Sequence, residues 1–284
     1  MYPAEVALHI EKWLRDHLTC SRQKGFIVGI SGGVDSAVVS TLCAITECPT
    51  LVISLPICQN ASQLRKCNRH IAWLKDTYPN VVSHEMDLGS VLNHFENELW
   101  PFIWDQNSFE LVSANLRSRL RMCALYAFAN ANKYLVVGTG NKIEDYGVGF
   151  FTKGGDGMVD LSPIGDLLKS EVKKLAIELN ILPEICTAVP TDGLWGDNRS
   201  DEDQLDATYD ELEWAMGYCE RLMDTSFLAT NTRLNFVINE KLSDRQREVL
   251  RIYYTRNKAN QHKMKMPPVC HIGVTKASLL DIGE

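Results

Sequence analysis

Residues 26–36 read FIVGISGGVDS: an apolar run that stops at a serine, two glycines, a valine, an aspartate and a second serine. FIVGI (26–30) has the length and composition of a buried strand, and DSAVVSTLCAIT (35–46) reads as the helix that follows it. Strand, glycine turn and helix together make a phosphate cradle. The glycines let an anion approach the main chain, and the helix aims its N–H groups and positive dipole end at the charge. A plain Gly-rich turn with Asp35 or Ser36 as N-cap is the ordinary alternative. The clear strand, the clear helix, and the serines Ser31 and Ser36 flanking Gly32 and Gly33 favour the cradle. The loop lacks the Walker A lysine, so it gives no support to kinase-like transfer of a γ-phosphate.

Outward from this motif the chain keeps alternating. Val6, Ile10, Trp13 and Leu14 recur at helical spacing and predict an amphipathic helix over 2–17. Strands are expected at 50–56 (TLVISLP), 80–88 and 134–140 (YLVVGTG), and helices over 61–75, 91–99, 109–130 and 170–180. Short apolar strands separated by helices predict an α/β fold, a doubly wound parallel sheet flanked by helices, with ligands at the carboxyl ends of the strands. Beyond Phe150 the chain turns to glycine and aspartate, a loop signal. The polar, acidic stretch from Val189 is expected to move in the absence of ligand. Further helices are expected over 205–223 and 243–257.

At 284 residues, with 45% apolar content, the chain is long enough for one large domain or two small ones with a well-buried core. No apolar run is long enough to span a bilayer, so no membrane segment is expected. The net charge of −7 argues against a nucleic-acid-coating protein, since phosphate-backbone affinity needs clustered Lys and Arg. The nine cysteines are scattered, without zinc-site spacing, and read as reduced thiols of a cytoplasmic protein.

The loop SGGVDS resembles that of the N-type ATP pyrophosphatases (adenine nucleotide α-hydrolase-like fold), which hold the pyrophosphate end of ATP while AMP is transferred. Four downstream stretches narrow the resemblance: GTGNKIE (138–144), GFFTKGGDGMVDLSPIGDLLK (149–169), PTDGLW (190–195) and QHKMKMPP (261–268). With these the chain resembles ammonia-dependent NAD synthetase from the first helix to about Pro268, which implies a single domain over 1–284. The resemblance implies a ligase that converts deamido-NAD, ATP and ammonia to NAD, AMP and pyrophosphate through an adenylated carboxylate, with Mg2+ as cofactor. It implies ATP contacts from Gly29, Ile30, Ser31, Gly32, Gly33, Val34, Asp35 and Ser36, and from Thr139, Lys169 and Thr191. Asp35 and Glu144 would hold magnesium, whose hard character suits paired oxygen ligands beside phosphates. Arg119, Lys153, Asp160, His262 and Lys263 would contact deamido-NAD. Without the resemblance, Arg119 would pass for a surface or dimer charge, and Glu144, Lys153, Asp160 and Lys169 for solvated charges.

Two departures stand out: Ser54 where many members carry an arginine near ATP, and Gly140–Asn141 in place of an Asp-His pair seen in some. No covalent nucleophile is expected, because ammonia attacks the activated carbonyl directly. Residues 192–205, with the His262–Lys263 tail, are the expected lid against hydrolysis of the adenylate. The resemblance further implies a homodimer joined through 109–130, and ammonia taken directly, as no glutamine amidase domain is expected. A tRNA-modifying ATP pyrophosphatase would want a basic face or a reactive cysteine pair. A non-catalytic nucleotide-binding module would have no reason to keep both Asp35 and Glu144.

Overall fold

The structure is a computed structural model, described over residues 2–57, 59–103, 105–195, 199–224 and 242–270. Its centre is a four-stranded parallel sheet: β1 (Gly25–Gly29), β2 (Thr50–Ser54), β3 (Val81–Glu85) and β4 (Tyr134–Val136), in the order β3-β2-β1-β4. Side chains one residue apart on a strand face opposite ways. Phe26, Val28 and Val52 accordingly enter one apolar cluster and Ile27, Leu51 and Ile53 another, all of them buried. The first cluster is covered by α1 (Pro3–Ser21), α2 (Val34–Ile45), α3 (Ala61–Thr77) and α6 (Lys169–Glu178); the second by α4 (Gly89–Leu99) and α5 (Gln106–Asn132). Helices on both faces are what near-continuous apolar strands require.

The order β3-β2-β1-β4 makes the chain leave β3, pass through α4 and α5, and re-enter the sheet on the far side of β1. Between β1 and β4 the winding direction reverses. At such a switch point the loops leaving adjacent strands diverge and open a crevice. The glycine loop after β1 and the GTGNKIE segment after β4 face one another there.

A third cluster joins the short helix α8 (Asp201–Leu205), α9 (Tyr209–Asp224), α10 (Asp244–Met264) and a π-helical turn at Ile143–Val148. A one-turn helix, α7 (Pro183–Cys186), lies between α6 and α8.

Some elements differ from the sequence expectations. β4 ends at Val136 rather than Gly140, and Val137 makes only one further bridge, to Leu161. The helix expected over 205–223 starts only at Tyr209, and a separate short helix, Asp201–Leu205, precedes it. Ser200 and Asp203 form a capping box that starts α8, and Asp206 turns left-handed (φ 58°) to end it. The π-helical turn carrying Glu144 gave no periodic signal, being only six residues long.

Gly32 holds φ +87°, and a Cβ there would lie 2.7 Å from the Gln63 carbonyl oxygen of α3. Replacing Gly32 with Ala should therefore lower stability by about 1–3 kcal/mol. Thermal melts check the effect; a wild-type melting profile would contradict this reading of the loop.

Candidate active site

A cleft of about 900 Å³ runs over the carboxyl ends of the strands. Its floor is the glycine loop, which is held by its own hydroxyls. The Ser36 hydroxyl donates to the Gly33 carbonyl (3.0 Å), and the Gly33 and Ser31 amides donate to the Ser31 and Ser36 hydroxyls (3.2 and 3.3 Å). Gly33 is the N-cap of α2 and no side chain caps the helix, so neither Asp35 nor Ser36 takes that role. Asp35 lies in the first turn with its carboxylate directed at Lys169.

Asp35 and Glu144 lie far apart in sequence and meet because their loops leave adjacent strands. Between them stands the Lys169 ammonium, 2.6 Å from Asp35 Oδ2 and 3.0 Å from Glu144 Oε1. Lys169 is only 3% exposed. Burial opposes its charge, but the two carboxylates prevail and raise its pKa above the ordinary lysine value. Burial likewise raises the Glu144 carboxyl, with Lys169 acting in the opposite direction. Two hard oxygen donors already bridged by one cationic group fit a small divalent cation. No set of three or more His, Cys, Asp or Glu among the described residues could hold a metal by itself.

Asn141 explains one departure. Its amide donates to Asp35 Oδ1 (3.3 Å) while its oxygen accepts from the Glu144 amide (3.1 Å), so it links the two carboxylate-bearing segments. Gly140 beside it leaves room for the Asp145 carboxylate, which would lie 2.0 Å from a Cβ there. Ser54 is buried at the end of β2 against the Cys67 thiol and does not line the cleft.

Thr139, Thr191, Arg119, Lys153, His262 and Lys263 all line the cleft. The Arg119 guanidinium donates to the Lys153 carbonyl (3.3 Å), and the Lys153 ammonium to the His262 carbonyl (2.7 Å). Lys263 donates to the Gly149 and Phe151 carbonyls, and burial lowers its pKa. Asp160 does not join them. It accepts from the Val136 amide (2.8 Å) and the Tyr126 hydroxyl (3.2 Å), beside a second cavity. The segment expected to act as a lid is tied at its base, where the Asp201 amide donates to the Pro190 carbonyl (3.0 Å), and Arg117 of α5 grips the Leu194 carbonyl. Residues 196–198 of that segment lie outside the described residues.

Sequence reasoning missed Tyr209 and Asp201. The Tyr209 hydroxyl lies 2.6 Å from Glu144 Oε1 and 3.3 Å from Asp201 Oδ2, and its ring sits 4.8 Å from the Lys169 ammonium. Their only signal was position in an acidic stretch, where neither differs from its neighbours.

A glycine loop without a lysine, at the switch point of a parallel sheet and facing two carboxylates, defines a nucleotide-binding α/β protein of the ATP pyrophosphatase type. The sequence profile of the NAD synthase family matches residues 6–267, and the chain belongs to that family, as an enzyme of NAD synthesis. It is 29% identical to the NH(3)-dependent NAD(+) synthetase of Methanocaldococcus jannaschii over 94% of this chain and 97% of that one. It is 32% identical to the protein of the same name from Syntrophomonas wolfei, over 96% and 98%. Among solved structures, the NMN synthetase from Francisella tularensis superposes with a TM-score of 0.78 at 27% identity, covering 95% of this chain and 99% of that chain.

The Asp201 carboxyl is raised from 3.8 to about 7, by burial first and by the Glu144 charge next. The unfolded chain releases this proton near 3.8, so stability from this group is full below that value and is lost as pH rises through about 7. Asp201→Asn should therefore raise stability at pH 8, on the order of 1–3 kcal/mol, and change little at pH 4. Melting curves at the two pH values check it; equal shifts at both would contradict it.

Proposed function

We propose that this chain makes NAD from deamido-NAD, ATP and ammonia, through an adenylated carboxylate, and that the residues around Lys169 carry the reaction. The observation that carries this reading is the Asp35–Lys169–Glu144 bridge beside a glycine loop that has no lysine of its own. A nicotinate carboxylate acylates poorly, so it must first displace pyrophosphate from ATP. The loop 29–36 holds the phosphates against main-chain N–H groups and the α2 dipole. Thr139 and Thr191 bound the nucleotide on either side. Asp35 and Glu144 would hold Mg2+, which when bound supplies positive charge for the departing pyrophosphate. Lys169 adds a second positive charge to the same region. Arg119, Lys153, His262 and Lys263 orient deamido-NAD, and residues 192–205 with the His262–Lys263 tail keep water from the adenylate. A contact from Asp160 would require a dinucleotide that reaches the second cavity.

Ammonia enters as the free molecule or from a separate protein, with one synthetase unit spanning the chain. The extent of the match to the NH(3)-dependent relatives supports this. A cytoplasmic location is part of the proposal, on the ground that scattered cysteines suit a reducing compartment. No helix among the described residues is long and apolar enough to cross a membrane.

The test is incubation with ATP, magnesium, ammonium and deamido-NAD, with nicotinate mononucleotide as competitor because the Francisella tularensis relative is named an NMN synthetase. NAD, AMP and pyrophosphate should form in equal amounts. Release of ADP, or turnover of the mononucleotide alone, would overturn the reading. Asp35→Asn and Glu144→Gln should each lower turnover by about 10²-fold or more.

A homodimer is the proposed assembly. Phe95, Trp100, Phe102 and Leu111 are 47–77% exposed on successive segments of α4, the turn after it and α5. Exposed large apolar side chains on neighbouring segments are the kind of surface a second copy would cover. Trp100→Asp with Phe102→Asp should shift the sedimentation coefficient from dimer to monomer. A wild-type chain that sediments as a monomer at micromolar concentration would remove the dimer.

A further inference from the structure

The bridge between Asp35 and Glu144 raises a conflict that the proposed reaction must resolve. Lys169 is the first residue of α6, whose N-terminus is pinned by Glu213 of α9: the Ser170 amide and hydroxyl both donate to that carboxylate, at 2.8 and 2.7 Å. The backbone at Lys169 is thus held from two helices, and only the four-carbon stem can swing. Its ammonium stands between Asp35 Oδ2 and Glu144 Oε1, two oxygens that could equally take a divalent cation. Glu144 Oε1 also faces the Tyr209 hydroxyl, at 2.6 Å. The tyrosine ring lies 4.8 Å from the ammonium on another side. A magnesium ion seated on Asp35 Oδ2 and Glu144 Oε1 would stand at contact distance from the ammonium. Both are cations in a buried site, where like charges at contact distance repel strongly.

We propose, building on the reading above, that Lys169 is an internal stand-in for the divalent cation. It holds Asp35 and Glu144 together in the nucleotide-free enzyme and keeps metal off them. It yields the place only when phosphates seated on the loop 31–36 draw its ammonium away. Asp35 lies in the first turn of α2, directly after that loop, so the phosphates arrive within reach of the swinging side chain. The metal then enters only together with the nucleotide, and each raises the other's affinity by the same factor. Without this exchange a metal resting on the bare carboxylates would leave Lys169 a buried, unpaired cation, the costliest arrangement open to the site.

The experiment uses Mn2+ as probe, with free Mn2+ read by electron paramagnetic resonance in the absence of nucleotide. Wild type and Lys169→Arg should bind Mn2+ weakly, since both keep the internal cation. Lys169→Met should bind it at least about tenfold tighter, although inactive. Adding Glu144→Gln to Lys169→Met should abolish the gain. If Lys169→Met binds no better than wild type, or wild type without nucleotide binds as tightly as Lys169→Met, the proposal fails. Should Lys169→Met fold poorly because its carboxylates are left unpaired, melting temperature gives the second readout. Mn2+ should raise it more for Lys169→Met than for wild type, and equal shifts would overturn the idea. NAD formation is measured separately. The Mn2+ pattern with no turnover of deamido-NAD would overturn the substrate assignment alone, and turnover without the Mn2+ pattern would overturn the stand-in alone.

Discussion

Two carboxylates held side by side and partly withdrawn from water repel each other, and a protein that needs both must supply a counter-charge. Here the switch in strand order brings Asp35 and Glu144 together, and Lys169 at the start of α6 supplies that charge. Much of the surrounding structure serves this contact. The buried α2 fixes Asp35 through its packing on β1, Asn141 fixes the spacing of the two loops, and Glu213 fixes the N-terminus of α6. Removing the lysine would leave two desolvated anions facing each other, a larger perturbation than the loss of a surface ion pair.

The C-terminal helices contribute in a different way. Asn257, Asn260 and Lys263 stand one turn apart on α10 and donate to successive carbonyls at Gly147, Val148, Gly149 and Phe151. This row splints the strand of chain that follows the π-helical turn. Arg245 at the other end of α10 grips both oxygens of Glu211 at the start of α9 (2.7 and 2.8 Å). The helix thereby joins the turn that bears Glu144 to the helix that bears Tyr209. The Tyr209 hydroxyl then reaches Glu144 with the short contact that buried, charge-assisted hydrogen bonds adopt.

The cleft also contains charge that the proposed reaction leaves unassigned. The Arg121 guanidinium donates to the Leu55 carbonyl at 3.0 Å, while its Nη2 is buried without a partner. Burial and the neighbouring Arg117 lower its pKa to about 10. A cation in that state adds positive potential to a cleft whose substrates are anionic.

The amino-acid sequence by itself determined the layered α/β fold, because apolar strands of five or so residues alternating with helices admit few other arrangements. It also determined the glycine loop and, through the spacing of local motifs, the residues after β4. Each of these is a short-range pattern, visible within a dozen residues. The tertiary structure alone decided that Lys169 bridges Asp35 and Glu144 and that Asp160 turns away from the cleft. It alone brought Tyr209 and Asp201 to the Lys169-bridged carboxylates from an acidic stretch where they look like solvent-facing residues. Those facts depend on which loops the sheet order places across the crevice and on how α8 and α9 break at Asp206. Neither is written in local periodicity, because contacts spanning 65 and 134 positions, Tyr209 to Glu144 and Lys169 to Asp35, form only when the chain is packed.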